Sequence, residues 1–137
     1  MRVYNIYLSR AWMEHDISKQ LAGFLSGRKD FDCRAYAVPE DKWVESPYAS
    51  DECQQVYSYM DGCDIVLLMA NCKYELIGNV RNEIRVAQSG FQYPKPILAV
   101  KTEVVEGVSD EVKEVAKEVV GWDAEAIVKA IKSHASS

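Results

Sequence analysis

Apolar and polar positions along the chain change between a period near two and a period near 3.6, and these changes lay out the elements. VYNIYLS (Val3 to Ser9), rich in β-branched and aromatic residues, predicts a first strand. In HDISKQLAGFLSG the apolar set Ile17, Leu21, Phe24 and Leu25 has helical spacing, with Asp16 as a possible cap and Gly27 as a stop. Phe31, Cys33, Ala35 and Ala37 fall on one face of FDCRAYAV (Phe31 to Val38), a second strand. Two prolines in PEDKWVESPYAS break regular structure and make a long polar loop. A helix follows from Ser50 to Gly62. Its cap is either Ser50, whose third following residue is Cys53, or Asp51, whose third is Gln54; only the second resembles a capping box.

CDIVLLMA (Cys63 to Ala70) is continuously apolar after Asp64, as in a central strand buried on both faces. Ile77, Val80, Ile84 and Ala87 then fall within one arc of a helix, and KPILAV (Lys95 to Val100) makes another buried strand. SDEVKEVAKEVV predicts a helix and Val119 to Trp122 a short fifth strand. In GWDAEAIVKAIKSH, Asp123 would cap a terminal helix with Ile127, Val128 and Ile131 inward. Strands alternating with helices imply a parallel sheet with right-handed crossovers. The expected fold is therefore a three-layer, flavodoxin-like α/β domain of about five strands with helices on both faces. One domain spans residues 1–137.

The helix between the third and fourth strands raises a chemical question. In NVRNEIRVAQSG, Glu83 lies on the shoulder of the apolar stripe, between Val80 at i−3 and Ala87 at i+4, so its carboxylate is expected at the rim of the core. A rim carboxylate is either a solvated surface group or a catalytic one. In a parallel sheet the ligand crevice lies at the carboxyl ends of the strands, where the strand order reverses. Ser9, Arg10 and Trp12 follow the first strand, residues 38–48 the second, Asn71 to Gly78 the third, and Lys101 the fourth. Arg10 offers bidentate hydrogen bonds to a diphosphate or ribose, or is a solvated loop residue. Trp12 either stacks on a base or packs the start of the first helix. Trp43 and Tyr48 suit a lid or a subunit contact, Trp122 a structural place. His15 and His134 are isolated and receive no role.

Composition narrows the classes. Hydrophobic content of 48% and charged content of 27% are those of an ordinary globular domain. No apolar run approaches a membrane span and MRVYNIYLS turns polar too soon for a signal peptide, so a cytoplasmic protein without membrane contact is expected. A net charge of −5, with no basic cluster interleaved with aromatics, argues against nucleic acid as a partner. Cys33, Cys53, Cys63 and Cys72 form no C-x-x-C pair, and they are read as structural thiols, with no metal site expected. SRAWMEHD, after the first strand, lacks the glycines of a Rossmann or P-loop site and the hydroxyl-glycine loop of a flavodoxin. It also lacks the acidic ligands of a response-regulator receiver, and Met69 and Ala70 stand where a receiver needs its phosphorylatable aspartate.

IYLSRAW, FDCRAYAVPEDKW, GCDIVLLMA, RNEIRVAQSG, PKPILAV and VVGWDAEAIVKAI, in that order and spacing, resemble the TIR-like family, particularly the TIR-like domain of the Thoeris antiphage-defence system. A helix bearing NEI-x-x-A between the third strand and a KPI-x-x-V strand is the most specific part. The resemblance implies that Glu83 is the catalytic glutamate, with Ser9, Arg10, Trp12 and Asn79 around the substrate. The implied substrate is NAD, split between ribose and nicotinamide, and no cofactor is implied. Self-association or assembly with other TIR-like defence proteins is implied as well. The chain departs from the family in carrying Asn79 where TIR enzymes commonly have tryptophan, and Arg10 where tyrosine tends to follow the serine. Three readings follow: an NAD-consuming enzyme making a nucleotide signal, a nucleoside deoxyribosyltransferase-like enzyme that also sets a glutamate at a ribose, and a catalytically silent module that works by assembly.

Overall fold

The computed structural model of the protein describes residues 1–14 and 17–137; the expected cap Asp16, like His15, lies outside them. In chain order the elements are β1 (Val3–Leu8), α1 (Ala11–Glu14), α2 (Ser18–Leu25), β2 (Asp32–Tyr36), α3 (Ala49–Met60), β3 (Ile65–Met69), α4 (Ile77–Ser89), β4 (Ile97–Val100), α5 (Asp110–Val115), β5 (Glu118–Val120) and α6 (Ala124–His134). All strand pairs are parallel, in the order β2-β1-β3-β4-β5. α2 packs with α6, and α3 with α4. This is the three-layer, flavodoxin-like α/β fold that the alternation of elements predicts. No helix among the described residues is long and apolar enough to cross a membrane.

The core lies where the continuous apolar runs are. Every residue of β3 and β4 is buried, whereas β2 pairs only with β1 and is largely exposed. Asp123 accepts the Ala126 N–H at 2.8 Å and caps α6 as expected. Neither expected cap of α3 is used: Tyr48 occupies that position without a side-chain bond. Ser46 Oγ instead accepts the Tyr48 N–H at 3.1 Å and donates to Asp51 at 2.6 Å. α5 stops at Val115, short of the predicted helix, because Glu118–Val120 gain a ladder with β4, and a chain joining the sheet cannot continue a helix. The buried face of α4 is Val80, Glu83, Val86 and Ala87, with Ile77 and Ile84 only half-buried. The helix is thus rotated so that Glu83 lies inside the core, not at its rim.

Trp12 also differs from the expectation that it meets substrate. Its indole is fully buried, stacks on Trp122 at 6.1 Å between centroids, and donates from Nε1 to the Leu67 carbonyl at 3.0 Å. It is a pillar of the core at α1, because a ring closed in by neighbours has no face left for a base. Trp12→Ala should therefore cost about 3–5 kcal/mol of stability in urea unfolding, as large-to-small changes at buried aromatics do. A loss below about 1 kcal/mol would show the ring to be dispensable to the core.

Candidate functional site

The reversal of strand order falls beside β1: the chain crosses from β1 to β2 on one side, and all later strands lie on the other. At the carboxyl end of β1, alternation turns Tyr7 and Ser9 to the same face. That face meets α4. Tyr7 Oη donates to Glu83 at 2.6 Å, Ser9 Oγ donates at 2.6 Å, and the Arg10 backbone N–H donates at 2.9 Å. Ser9 is fully buried and Glu83 is 1% exposed, so the three donors replace the water that the carboxylate has lost.

The replacement is incomplete. Burial raises the Glu83 carboxyl from its ordinary 4.5 to about 7; the bonds from Ser9, Tyr7 and Arg10 oppose the shift, and the nearby Glu52 carboxylate adds to it. Burial, followed by the charge of Glu83, also pushes Tyr7 well above its ordinary value, which keeps its hydroxyl protonated and donating. A carboxyl poised near neutrality at a sheet switch point is the kind of group that active sites create.

Glu52 on α3 forms a second layer. One of its oxygens accepts from Arg10 Nη1 at 3.0 Å and Asn79 Nδ2 at 2.6 Å, and the other from Asn82 Nδ2 at 2.6 Å. The Arg10 guanidinium lies over the Trp43 ring, 3.7 Å from its centroid, and Trp43 Nε1 donates to the Val38 carbonyl at 2.9 Å. Gln55 pins the same loop to α3, donating to the Lys42 carbonyl and accepting from Val44 N–H. The space left among Tyr7, Arg10, Trp43, Glu52 and Glu83 is about 10 Å³, room for about one water. Glu52 also lines a separate open groove of about 460 Å³, together with Tyr48, Asn79, Asn82 and Arg85. Another cavity of the same size lies beside β2, lined by Leu25, Phe31 and Ala35; it shares no residue with the Glu83 cluster and holds none of its chemistry.

Of the residues singled out from the sequence, Glu83, Ser9, Arg10 and Asn79 come together, and Trp12 does not. Trp43 meets Arg10 within its own chain, whereas Tyr48 is 69% exposed. Lys101 is exposed, its backbone N–H bound to the Val120 carbonyl. Tyr7, Glu52 and Asn82 escaped the sequence reading. Tyr7 was legible as the same-face neighbour of Ser9, and Asn82 as the i+3 neighbour of Asn79; nothing in the first turn of α3 distinguished Glu52 from a solvated acid. The four cysteines are free thiols, and burial pushes that of Cys63 up to about 12, far from reactivity at neutral pH. No protein-family model matches the chain, and no curated protein matches it.

A carboxyl whose folded value is raised binds a proton in the folded state that the unfolded chain has released. Its contribution is full below about pH 4.5 and is lost as pH rises through about 7. At that point the charge costs the fold roughly 3 kcal/mol at most. Glu83→Gln imitates the neutral acid, with its amide NH2 donating to Ser9 Oγ and its carbonyl accepting from Tyr7 and Arg10. Melting across pH 5–8 should therefore show the variant gaining on the wild type as pH rises. Parallel curves would mean that Glu83 does not titrate in this range.

Proposed function

We propose that the protein is a TIR-like NAD-consuming enzyme of bacterial antiphage defence, with Glu83 as its catalytic carboxylate. The observation that carries this reading is a fully buried carboxylate at the switch point of the sheet, held by Tyr7, Ser9 and Arg10, with a pKa of about 7. Nicotinamide in NAD is already cationic and leaves as a neutral amine, so its departure needs no general acid. What the transition state needs is negative charge beside a ribose that becomes oxocarbenium-like, and hydrogen bonds to the ribose hydroxyls. A carboxylate with few competing waters supplies both at low local dielectric. The acceptor then sets the product: water gives ADP-ribose, and another atom of the same molecule gives a cyclic form.

Two observations favour the silent assembly module as the second reading. The roughly one-water space at Glu83 admits no ribose in this conformation, and Asn79, in the position where TIR enzymes commonly carry tryptophan, is engaged with Glu52. An enzyme of this kind needs a trigger that widens the site, and self-association in the presence of substrate is the trigger that the resemblance suggests.

Mass spectrometry of products after incubation with NAD separates the readings. Glu83→Gln should lower turnover by about two to three orders of magnitude, the usual effect of one electrostatic stabiliser. An equally active Gln variant would sink the assignment. Because the ionised form is the active one, kcat/KM of the wild type should fall as pH drops through about 7. A flat profile from pH 6 to 8 would remove Glu83 as the titrating group. Light scattering with NAD present should show species larger than one chain; a monomer at high protein concentration with substrate would rule out assembly as the trigger.

A further inference from the structure

We infer that Arg10, Asn79 and Asn82 form an anion site for a phosphoryl group of the ligand, and that the Glu52 carboxylate fills this site in the free protein. Three donors from two separate elements converge on both oxygens of one carboxylate carried by a third element. An ion pair that served only to join α3 to the end of β1 would need Arg10 alone. Two side-chain amides and a guanidinium around a single anion make a receptor, and carboxylate and phosphoryl oxygens make similar demands on such donors.

The arginine has capacity to spare. Its Nε is buried and meets no acceptor among the described residues, although Nη1 is engaged. The two oxygens of Glu52 are taken up by Nη1 and the amides. A phosphoryl group has a third oxygen to offer, and a guanidinium presents Nε and Nη in one plane to such a group. The Trp43 ring under the guanidinium fixes that plane before any ligand arrives, so little side-chain freedom is lost on binding.

Glu52 has somewhere to go. Its side chain lines the open groove that runs past Tyr48, Asn79 and Arg85, and a rotamer turned into that groove would exchange protein donors for water. Arg10 also links the two sites: its backbone N–H is bound to Glu83 and its guanidinium to Glu52. A nucleotide with its ribose at Glu83 would carry its 5′-phosphoryl toward the guanidinium. That alignment rests on the function proposed above; the anion site itself rests only on its donors. Glu52 is thus a tethered competitor that lowers the apparent affinity for phosphorylated ligands, and nothing in this step makes or breaks a covalent bond.

The test is calorimetric titration of the full chain with inorganic pyrophosphate, ADP-ribose and nicotinamide riboside, for the wild type, Glu52→Ala and Glu52→Gln. If Glu52 holds the site about nine-tenths of the time, its removal should tighten pyrophosphate and ADP-ribose about tenfold. Glu52→Gln should move the same way, and the riboside, which has no phosphoryl group, should not change. Equal affinities of wild type and variants for pyrophosphate would overturn the inference. An equal gain for the riboside would also overturn it, since Glu52 would then act as a plug and not as an anion mimic. Should the variants fail to fold, NMR of the wild type decides: added ADP-ribose should shift the side-chain amide signals of Asn79 and Asn82, and unmoved signals would refute the site. Tighter pyrophosphate binding with no NAD cleavage even by the self-associated protein would leave the anion site standing and remove the enzymatic reading. Glu83-dependent cleavage without a phosphate effect would do the reverse.

Discussion

Taking a carboxylate out of water costs several kcal/mol, and only donors fixed by the rest of the fold can offset that loss. Glu83 sets this constraint on the molecule. Its donors come from the end of β1 and the turn after it, seventy-odd residues away in sequence, so α4 must cross the sheet at the height where Tyr7, Ser9 and the Arg10 N–H are turned toward it. The rotation of α4 that buries Glu83 leaves Ile77 and Ile84 half-exposed, a sacrifice of apolar area for a polar contact. A helix governed by its apolar residues alone would have turned the other way.

Fold and proposed chemistry make opposite demands on this group. The fold is relieved when Glu83 is protonated, and a cationic transition state is stabilised only when it is not. Such opposition is common where a site is strained for function, and its cost is met by interactions elsewhere. Here the compensation is visible in the surroundings: a fully apolar β3, and Trp12 stacked on Trp122 behind the first loop. The glutamate is held by short bonds yet keeps a pKa near neutrality, because desolvation exceeds what three donors return.

The fold was legible because it is written in local pattern. Continuous apolar runs gave β3 and β4, Asp123 gave the start of α6, and the alternation of strands and helices gave parallel pairing. Patterns failed where a tertiary bond outweighed a local preference. The valine-rich segment after Ser109 has a helical period that the ladder with β4 cuts short, and Asp51 is drawn into a bond with Ser46. In the candidate site the sequence identified the residues next to the strand end and the acid on α4. It was silent on Glu52, because an acid in the first turn of a helix is ordinary; its partners come from the turn after β1 and from α4, which no local period connects. Trp12 was ambiguous for the opposite reason, since a tryptophan after a strand suits a pocket wall and a core equally until its neighbours are known.

The position of β2 at the border of the sheet has a mechanical consequence. It is braced by β1 on one side, with no strand on the other among the described residues, and Asp32 and Arg34 place opposite charges along the bare margin, which discourages a foreign strand from annealing there. The loop that brings Trp43 beneath Arg10 leaves from this strand and is tied down on its far side by Gln55 of α3. A displacement of that loop strains only one ladder at the periphery, whereas a displacement of α4 would disturb the interior. The ring that supports Arg10 thus hangs from a strand at the margin of the sheet, whereas Glu83 is carried by a helix packed on its interior.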